Sequence, residues 1–180
     1  VRVGEWEWDA GPSWLWMPKA LDELSDTLGF ESPYEWLEEL DPHYRLDRGD
    51  GVVDVPSGAS FLSWLQQVDP DADVASYSRD QQQTLDLITS TILPRRLGSV
   101  ASMLIPRLLG MSGLLTPSRD ALAPYGFSEA TKDMLLWPNL FLGLHPDRSF
   151  SPYNAVGYSG HTEGAHVARG SSDLHGLVQV

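Results

Sequence analysis

The residues best suited to chemistry lie close together near the end of the chain, in the run HTEGAH. His161, Glu163 and His166 supply two imidazoles and a carboxylate. A helical zinc site needs two histidines four positions apart with a glutamate beside the first, because that spacing puts them on one face. Here the histidines are five apart and Gly164 interrupts the run. The spacing therefore favours a polar loop, and no metal ligand is predicted.

The remaining histidines and the familiar nucleotide and nucleophile motifs add nothing stronger. His43, His145 and His175 have no matching partners nearby in sequence, and no G-x-S-x-G, Walker or G-x-G-x-x-G motif occurs. The run ARGSSDLHG predicts a Gly-Ser turn that opens a helix, whose free N–H groups could hold an anion. An ordinary Ser or Asp N-cap is the favoured interpretation of that run.

Composition limits the classes of protein and partner. A hydrophobic content of 42% in 180 residues predicts one folded domain or a piece of a larger one. The absence of cysteine excludes disulfides and thiolate metal sites. A net charge of −13 argues against nucleic acid as a partner and against purely electrostatic attachment to anionic lipid. The first residue is Val1 and the last run, DLHGLVQV, reads as a helix barely started, so we expect an internal segment of a longer protein.

The elements that would position these residues are mostly helices. Residues 1–8 alternate like a strand with a turn at Gly4, and YRLDRGDGVVDV predicts a hairpin of strands 44–47 and 52–55. A Ser32-Pro33 start predicts a short helix that contains Trp36, Leu37 and Leu40. The pattern as a whole predicts an α+β segment without a complete sheet of its own. Further helices are predicted at 18–28, 57–68, 74–93, 118–124, from 129 onward and at 151–164.

One apolar stretch, Leu97–Leu115, approaches the length that spans a bilayer. Pro106 and Arg107 lie in its middle, and three glycines weaken it further. Burying Arg107 at the centre of a membrane costs about 2.5–3.5 kcal/mol on insertion scales. The stretch therefore favours a buried helix pair or a segment that lies in the membrane interface.

The run DAGPSWLWMP is unusually stiff and apolar for a loop. Trp14 and Trp16 flank Leu15 and point to the same side of an extended chain. Dense aromatics are often core packing, but this placement also suits the wall of an apolar cavity. Both interpretations stay open on the residues alone.

Three blocks of the sequence occur in a fixed order: WDAGPSWLWMP, LDPHYRLDRGDGVVDVP and WPNLFLGLHPDRSFSPYNAVGYSGHTEGAHVARGS. Together they resemble the phytoene desaturases, the bacterial-type carotenoid desaturases among the FAD-dependent amine-oxidase-like flavoproteins. The resemblance covers nearly the whole chain, although Asp69–Leu115 contributes little to it. It implies a split FAD/NAD(P)-binding Rossmann domain with a mostly helical substrate domain inserted in its middle.

On this resemblance, residues 1–16 end the first FAD-binding portion, residues 17–167 form the inserted, membrane-associated substrate domain, and residues 168–180 begin the return to the FAD domain. The pyrophosphate-binding motif then lies outside this chain. The family's Pro-Arg-Gly-Gly run departs here at Ala168 and at Ser171, where a side chain would crowd the approach to the flavin. The implied FAD contacts are Asp9, Ala10, Gly11, Pro12, Ser13, Arg169 and Gly170.

The resemblance further implies that Trp14, Trp16, Tyr153 and Tyr158 line a cavity for a lipophilic polyene. No catalytic side chain is assigned, because FAD takes the hydride and the protein positions the substrate and excludes water. The expected enzyme introduces double bonds into a C40 polyene in carotenoid biosynthesis, passes electrons to oxygen or a quinone, and is inactive as this segment alone.

The expected location is a membrane surface on the cytoplasmic side, or a plastid in a photosynthetic eukaryote. A carotenoid isomerase or retinol saturase of the same superfamily is an alternative, because it would share the matched blocks. An alternative of another class is a helical module that binds lipid or a protein partner without redox chemistry.

Overall fold

The computed structural model describes residues 2–4, 6–7, 14–32, 36–49, 51–92, 112–141 and 143–168. The chain divides into two compact units. The first unit combines Val1–Phe61 with Gly160–Val180, and the second is Leu62–Ser159. Along the chain, the second unit is thus inserted between the two parts of the first. The predicted α+β class with few strands is confirmed, whereas the domain boundaries after residues 16 and 167 stay a prediction.

The strands that the structure describes are short, and all belong to the first unit. In chain order they are β1 (Arg2–Val3), β2 (Trp6–Glu7), β3 (Leu37–Glu39), β4 (Tyr44–Asp47), β5 (Val52–Val55) and β6 (His166–Ala168). They form three antiparallel pairs, β1 with β2, β3 with β6, and β4 with β5. Two-stranded sheets are marginal by themselves, so packing against other elements must hold them.

The predicted β4–β5 hairpin is confirmed at the predicted residues. Tyr44 lies opposite Val55, and the ladder runs on to the pair Asp47 and Val52. An exposed ion pair joins Arg45 to Asp54 across the strands, with Nε and Oδ1 2.5 Å apart. The Gly-rich turn is a local signal, which explains why the sequence placed this hairpin correctly.

The predicted short helix around Leu37 is wrong, because Leu37–Glu39 forms β3. Leu37 lies opposite Ala168, and Glu39 lies opposite His166. The Ser-Pro start carried a helical signal, but the partner strand comes from the other end of the chain. A tertiary pairing of this kind overrides local propensity.

The helix α1 (Pro18–Leu28) ends where the sequence predicts. Pro18 occupies the first turn, and Gly29 ends the helix in the left-handed region with a φ of 77°. Leu24 and Leu28, on the predicted apolar face, are 49% and 62% exposed. The described residues of the first unit therefore leave most of that face uncovered.

Helices dominate the second unit and largely match the predicted ranges. The predicted helix 74–93 is α-helical to Leu87 and continues as a π-helical turn over Ile88–Ile92. After α1, the described helices in chain order are α2 (Phe61–Val68, after a 3-10 turn at Gly58–Ser60), α3 (Val74–Leu87), 3-10 turns at Ser112–Leu115 and Asp120–Tyr125, α4 (Glu129–Phe141) and α5 (Pro152–Glu163).

Asp69 connects the end of α2 to the start of α4. The Asp69 side chain is 9% exposed, and its Oδ2 accepts a hydrogen bond of 2.7 Å from the Ser128 N–H. Burial by itself raises the pKa of Asp69, but hydrogen bonds from Ser128 and Thr131 outweigh it and leave the pKa below its ordinary value. Asp69 therefore accepts a hydrogen bond from a backbone N–H at the N-terminus of α4, although the two segments are far apart in sequence.

No helix among the described residues is long and apolar enough to cross a membrane. Most of the stretch Leu97–Leu115, residues 97–111, lies outside the described residues, so its interfacial placement stays a prediction. The run 171–180, with its predicted helix start, lies outside them as well.

We expect Asp69→Ala to lower the free energy of unfolding by about 1–2 kcal/mol, because the substitution removes a buried cap of α4. Urea unfolding followed by circular dichroism measures the change. Asp71→Ala is the matched control, since Asp71 is exposed and should change stability by less than about 0.5 kcal/mol. Equal effects of the two substitutions would contradict the capping role.

Candidate functional site

Histidine and aromatic rings form a buried cluster in the first unit. The His43 ring lies edge-on to the rings of Trp16, Tyr44 and His161, at centroid distances of 5.5, 5.1 and 5.4 Å. The His161 ring also stacks on the Phe61 ring, with the two ring centroids 4.4 Å apart. The cluster thus gathers rings from segments that are far apart in sequence.

Separate elements place these rings. His43 directly precedes β4, and Tyr44 is its first residue. His161 lies in the last turn of α5, where it is fully buried. Tyr44 and His161 share a hydrogen bond of 2.9 Å between the hydroxyl and Nε2. This bond ties the hairpin to the helix.

Burial keeps His43 and Tyr44 of this cluster uncharged at neutral pH. Desolvation, with a smaller contribution from His166, lowers the pKa of His43 from 6.5 to about 4. Burial also raises the pKa of Tyr44, so its hydroxyl keeps its proton. Neither ring nitrogen of His43 has a hydrogen-bond partner among the described residues. An unsatisfied buried polar group of this kind costs about 1–3 kcal/mol.

The backbone of Leu15 and that of His166 pair beside this cluster. The Leu15 N–H donates to the His166 carbonyl at 2.8 Å, and the His166 N–H donates to the Leu15 carbonyl at 2.9 Å. His166 also belongs to β6, which pairs with β3. The part of the run DAGPSWLWMP that contains Leu15 and the segment before Arg169 are therefore neighbours.

Two glycines make room for the Glu39 side chain near the end of β3. A Cβ on Gly58 or Gly164 would lie 2.6 or 2.7 Å from Glu39 Oε1, and both glycines have positive φ angles, 62° and 83°. The Ser57 hydroxyl donates to the same carboxylate at 2.5 Å. Larger residues at either glycine would displace this carboxylate.

The prediction of a polar loop at HTEGAH is wrong. His161 and Glu163 end α5, His166 lies in β6, and the two histidines are 0% and 4% exposed. The sequence pattern missed this because the residues that bury them lie elsewhere in the chain. No group of three or more histidine and acidic side chains that could hold a metal ion occurs among the described residues.

The predicted cavity residues fall into different surroundings. Trp14 is 38% exposed, and Trp16 is partly buried against His43. In the second unit, Tyr153 is 37% exposed, whereas Tyr158 is buried against Tyr77. A role for these four residues in a cavity stays a prediction.

Tyr158 has a clear structural role in the second unit. Its hydroxyl hydrogen-bonds the Ser78 hydroxyl at 2.9 Å, and its ring is T-shaped to Tyr77 at 5.8 Å. Tyr77 in turn contacts Tyr125 and Phe127 at 5.5 and 5.2 Å. This arrangement is an aromatic core that connects α3 to α5.

The implied FAD contacts lie outside the described residues. This applies to the whole set: Asp9, Ala10, Gly11, Pro12, Ser13, Arg169 and Gly170. Trp14 is the first described residue after Ser13, and Ala168 is the last described residue before Arg169. These two residues lie next to Leu15 and close to His166, whose backbones pair. Sequence reasoning did not select His43, His161 or Tyr44 as site residues. The available signal was that all three fall in the blocks that carried the resemblance.

The second unit contains an open pocket of about 420 Å³ beside α3. Asp80, Thr84, Tyr125 and Ser151 are among the residues that line it. The Tyr125 hydroxyl donates to Asp80 Oδ2 at 2.9 Å, and burial, followed by Asp80, raises the pKa of Tyr125 to about 12. Asp80 and Asp120 place two acidic side chains in the lining of this pocket, although apolar atoms make up most of its surface.

Comparison with known proteins does not assign a family. No protein-family model matches the chain, and no curated protein matches it.

We expect His43→Phe to flatten the pH dependence of stability between pH 6.5 and 4. The folded pKa lies below the unfolded value, so stability is complete above pH 6.5 and falls as the pH drops and the unfolded state takes up the proton. The shift corresponds to about 3 kcal/mol at most. Phenylalanine retains a buried ring without the two unsatisfied nitrogens.

Urea unfolding at a series of pH values measures this dependence for parent and variant. His145→Gln is the matched control, because its side chain is 63% exposed and the substitution should leave the parental dependence in place. An unchanged pH dependence in His43→Phe would show that His43 is not buried as a neutral group.

Proposed function

We propose that this chain is part of an FAD-dependent carotenoid desaturase, an oxidoreductase that acts on CH–CH bonds of a long polyene. The sequence resemblance suggests the activity, and one structural observation supports it. Leu15 and His166 pair through two backbone hydrogen bonds, so segments adjoining the two sets of implied FAD contacts are neighbours. A flavin site assembled from both ends of the segment requires such a pairing.

The chain order of the two units is also compatible with the proposal. Leu62–Ser159 is inserted between the two parts of the first unit, as a substrate domain would be inserted into a split FAD-binding domain. The implied boundaries assign residues 17–61 and 160–167 to the inserted domain, whereas these residues group with the first unit.

The described residues fit a flavin and an apolar substrate in their chemistry. Trp14 is exposed and Trp16 is half-buried, and the His43 ring beside Trp16 is uncharged at neutral pH. A polyene offers nothing to hydrogen-bond, so its recognition depends on shape and apolar burial. FAD, when bound, would accept the hydride. This chain's side chains would bury the polyene, orient it and exclude water.

The proposal includes a peripheral contact with a membrane, where so lipophilic a substrate resides. Leu115, which ends the apolar stretch, is 74% exposed, and Phe150 is 46% exposed. The Ser151 N–H donates to the Thr116 carbonyl at 2.9 Å, so the segments that carry these two residues adjoin. With a net charge of −13, attachment would be hydrophobic.

Two alternatives keep specific support. A carotenoid isomerase or retinol saturase would share every feature described above. A helical module that binds lipid or protein without redox chemistry is favoured by the uncovered apolar face of α1, where Leu28 is 62% exposed. The same experiment separates all of these activities.

The test uses the full reading frame that contains this segment, purified and incubated with phytoene in liposomes. We expect a bound flavin with its visible absorbance, a product lighter by pairs of hydrogen atoms, and flotation with the liposomes that concentrated salt does not reverse. Gly11→Val should abolish flavin loading, because the backbone there must approach the ring closely. Gly51→Val is the control, since Gly51 has no left-handed φ and an added Cβ would meet nothing within 4 Å.

The outcomes discriminate the candidates by chemistry. Flavin with a product of unchanged mass indicates an isomerase, and a product heavier by two hydrogen atoms indicates a saturase. The absence of flavin from the full-length protein contradicts the proposed function and leaves the helical binding module.

A further inference from the structure

Trp16 lies against Gly160, near the C-terminal end of α5. A Cβ added to Gly160 would lie 2.8 Å from Trp16 Cδ2, 2.9 Å from Cε3 and 3.1 Å from Cε2. These three atoms belong to the six-membered ring of the indole. The ring therefore occupies the space that any other residue's Cβ would need.

Gly160 has no conformational reason to be glycine. It lies inside α5, and its φ is not in the left-handed region that favours glycine. Glycine inside a helix is destabilising relative to alanine, by roughly 1 kcal/mol. The contact with Trp16 supplies the reason for the glycine, because the indole could not approach the helix if a side chain were present.

Neighbouring rings limit the remaining freedom of Trp16. His43 contacts the indole edge-on at a centroid distance of 5.5 Å, and His161, next to Gly160, contacts His43 at 5.4 Å. The preceding residue, Leu15, is fixed by its two hydrogen bonds to His166. Helix, histidine and backbone pairing together define one position for the indole.

We propose that Gly160 is a positioning residue that seats Trp16 and so sets the depth of the apolar wall that selects substrates by shape. The selection by shape rests on the proposed function, whereas the seating of Trp16 does not. On the proposed function, displacing the Trp16 ring by the width of a methyl group would shift the bound polyene and change which carbon–carbon bond lies at the reacting position.

The seating is tested in the 180-residue chain by a double-mutant cycle of Gly160→Ala and Trp16→Ala. With Trp16 present, Gly160→Ala should lower the urea midpoint, because the new methyl group collides with the indole. With Trp16→Ala, the same substitution should raise the midpoint, because alanine is the better helix former. A change in the same direction in both backgrounds overturns the seating.

Gly157→Ala is the matched control in the same helix. Its Cβ would meet Pro138 Cβ at 3.4 Å, a contact in the second unit that does not involve Trp16. Its effect should be the same with and without Trp16. If Gly160→Ala prevents folding, the effect of the added Trp16→Ala substitution still decides: recovery of folding supports the seating, and continued failure to fold overturns it.

The selection is tested in the full-length enzyme. We expect Gly160→Ala to keep the parental flavin content and to change the ratio of kcat/KM between a C40 and a C30 polyene by about tenfold, while Gly157→Ala leaves the ratio unchanged. An unchanged ratio in Gly160→Ala overturns the selection but not the seating. A parental enzyme without flavin or desaturation refutes the proposed function, and the cycle in the short chain still stands.

Discussion

The pairing of His166 with Leu15 is the contact on which the first unit depends. It closes a unit whose two parts are separated by the whole of Leu62–Ser159. The strand β6 that contains His166 pairs with β3 as well. One three-residue strand therefore connects the residues around Leu15 to β3. Because the strand pairs are so short, this closure must be supported by the buried rings around His43.

The ring cluster combines tight packing with an unfavourable polar arrangement. His43 is 7% exposed and held neutral, yet neither of its nitrogens is bonded among the described residues. Proteins rarely keep such a group without a compensating role. The edge-on contacts of His43 with Trp16, Tyr44 and His161 pack its ring on several sides while both nitrogens stay without a partner among the described residues.

Local patterns predicted the elements that local chemistry decides. The β4–β5 hairpin follows from its Gly-rich turn, and α1 follows from Pro18 and Gly29. The sequence failed where the partner is distant: β3 was predicted as a helix, and the histidines of HTEGAH as a polar loop. The run DAGPSWLWMP singled out Trp14 and Trp16, and their role in a cavity stays a prediction. The position of Trp16 depends on Gly160 and His43, and no pattern within one segment could predict it.

Amide hydrogen exchange in the 180-residue chain tests most directly whether its two ends fold together. The His43 N–H donates to the Val55 carbonyl at 2.8 Å within the hairpin region. We expect the N–H groups of Leu15 and His166 to exchange as slowly as that of His43. All three should exchange far more slowly than the N–H of Gly143, whose hydrogen bond to the Leu140 carbonyl lies in an exposed turn that opens readily. Exchange of Leu15 and His166 as fast as Gly143, with His43 still protected, would contradict the closure of the first unit and remove the structural support for the proposed flavin site.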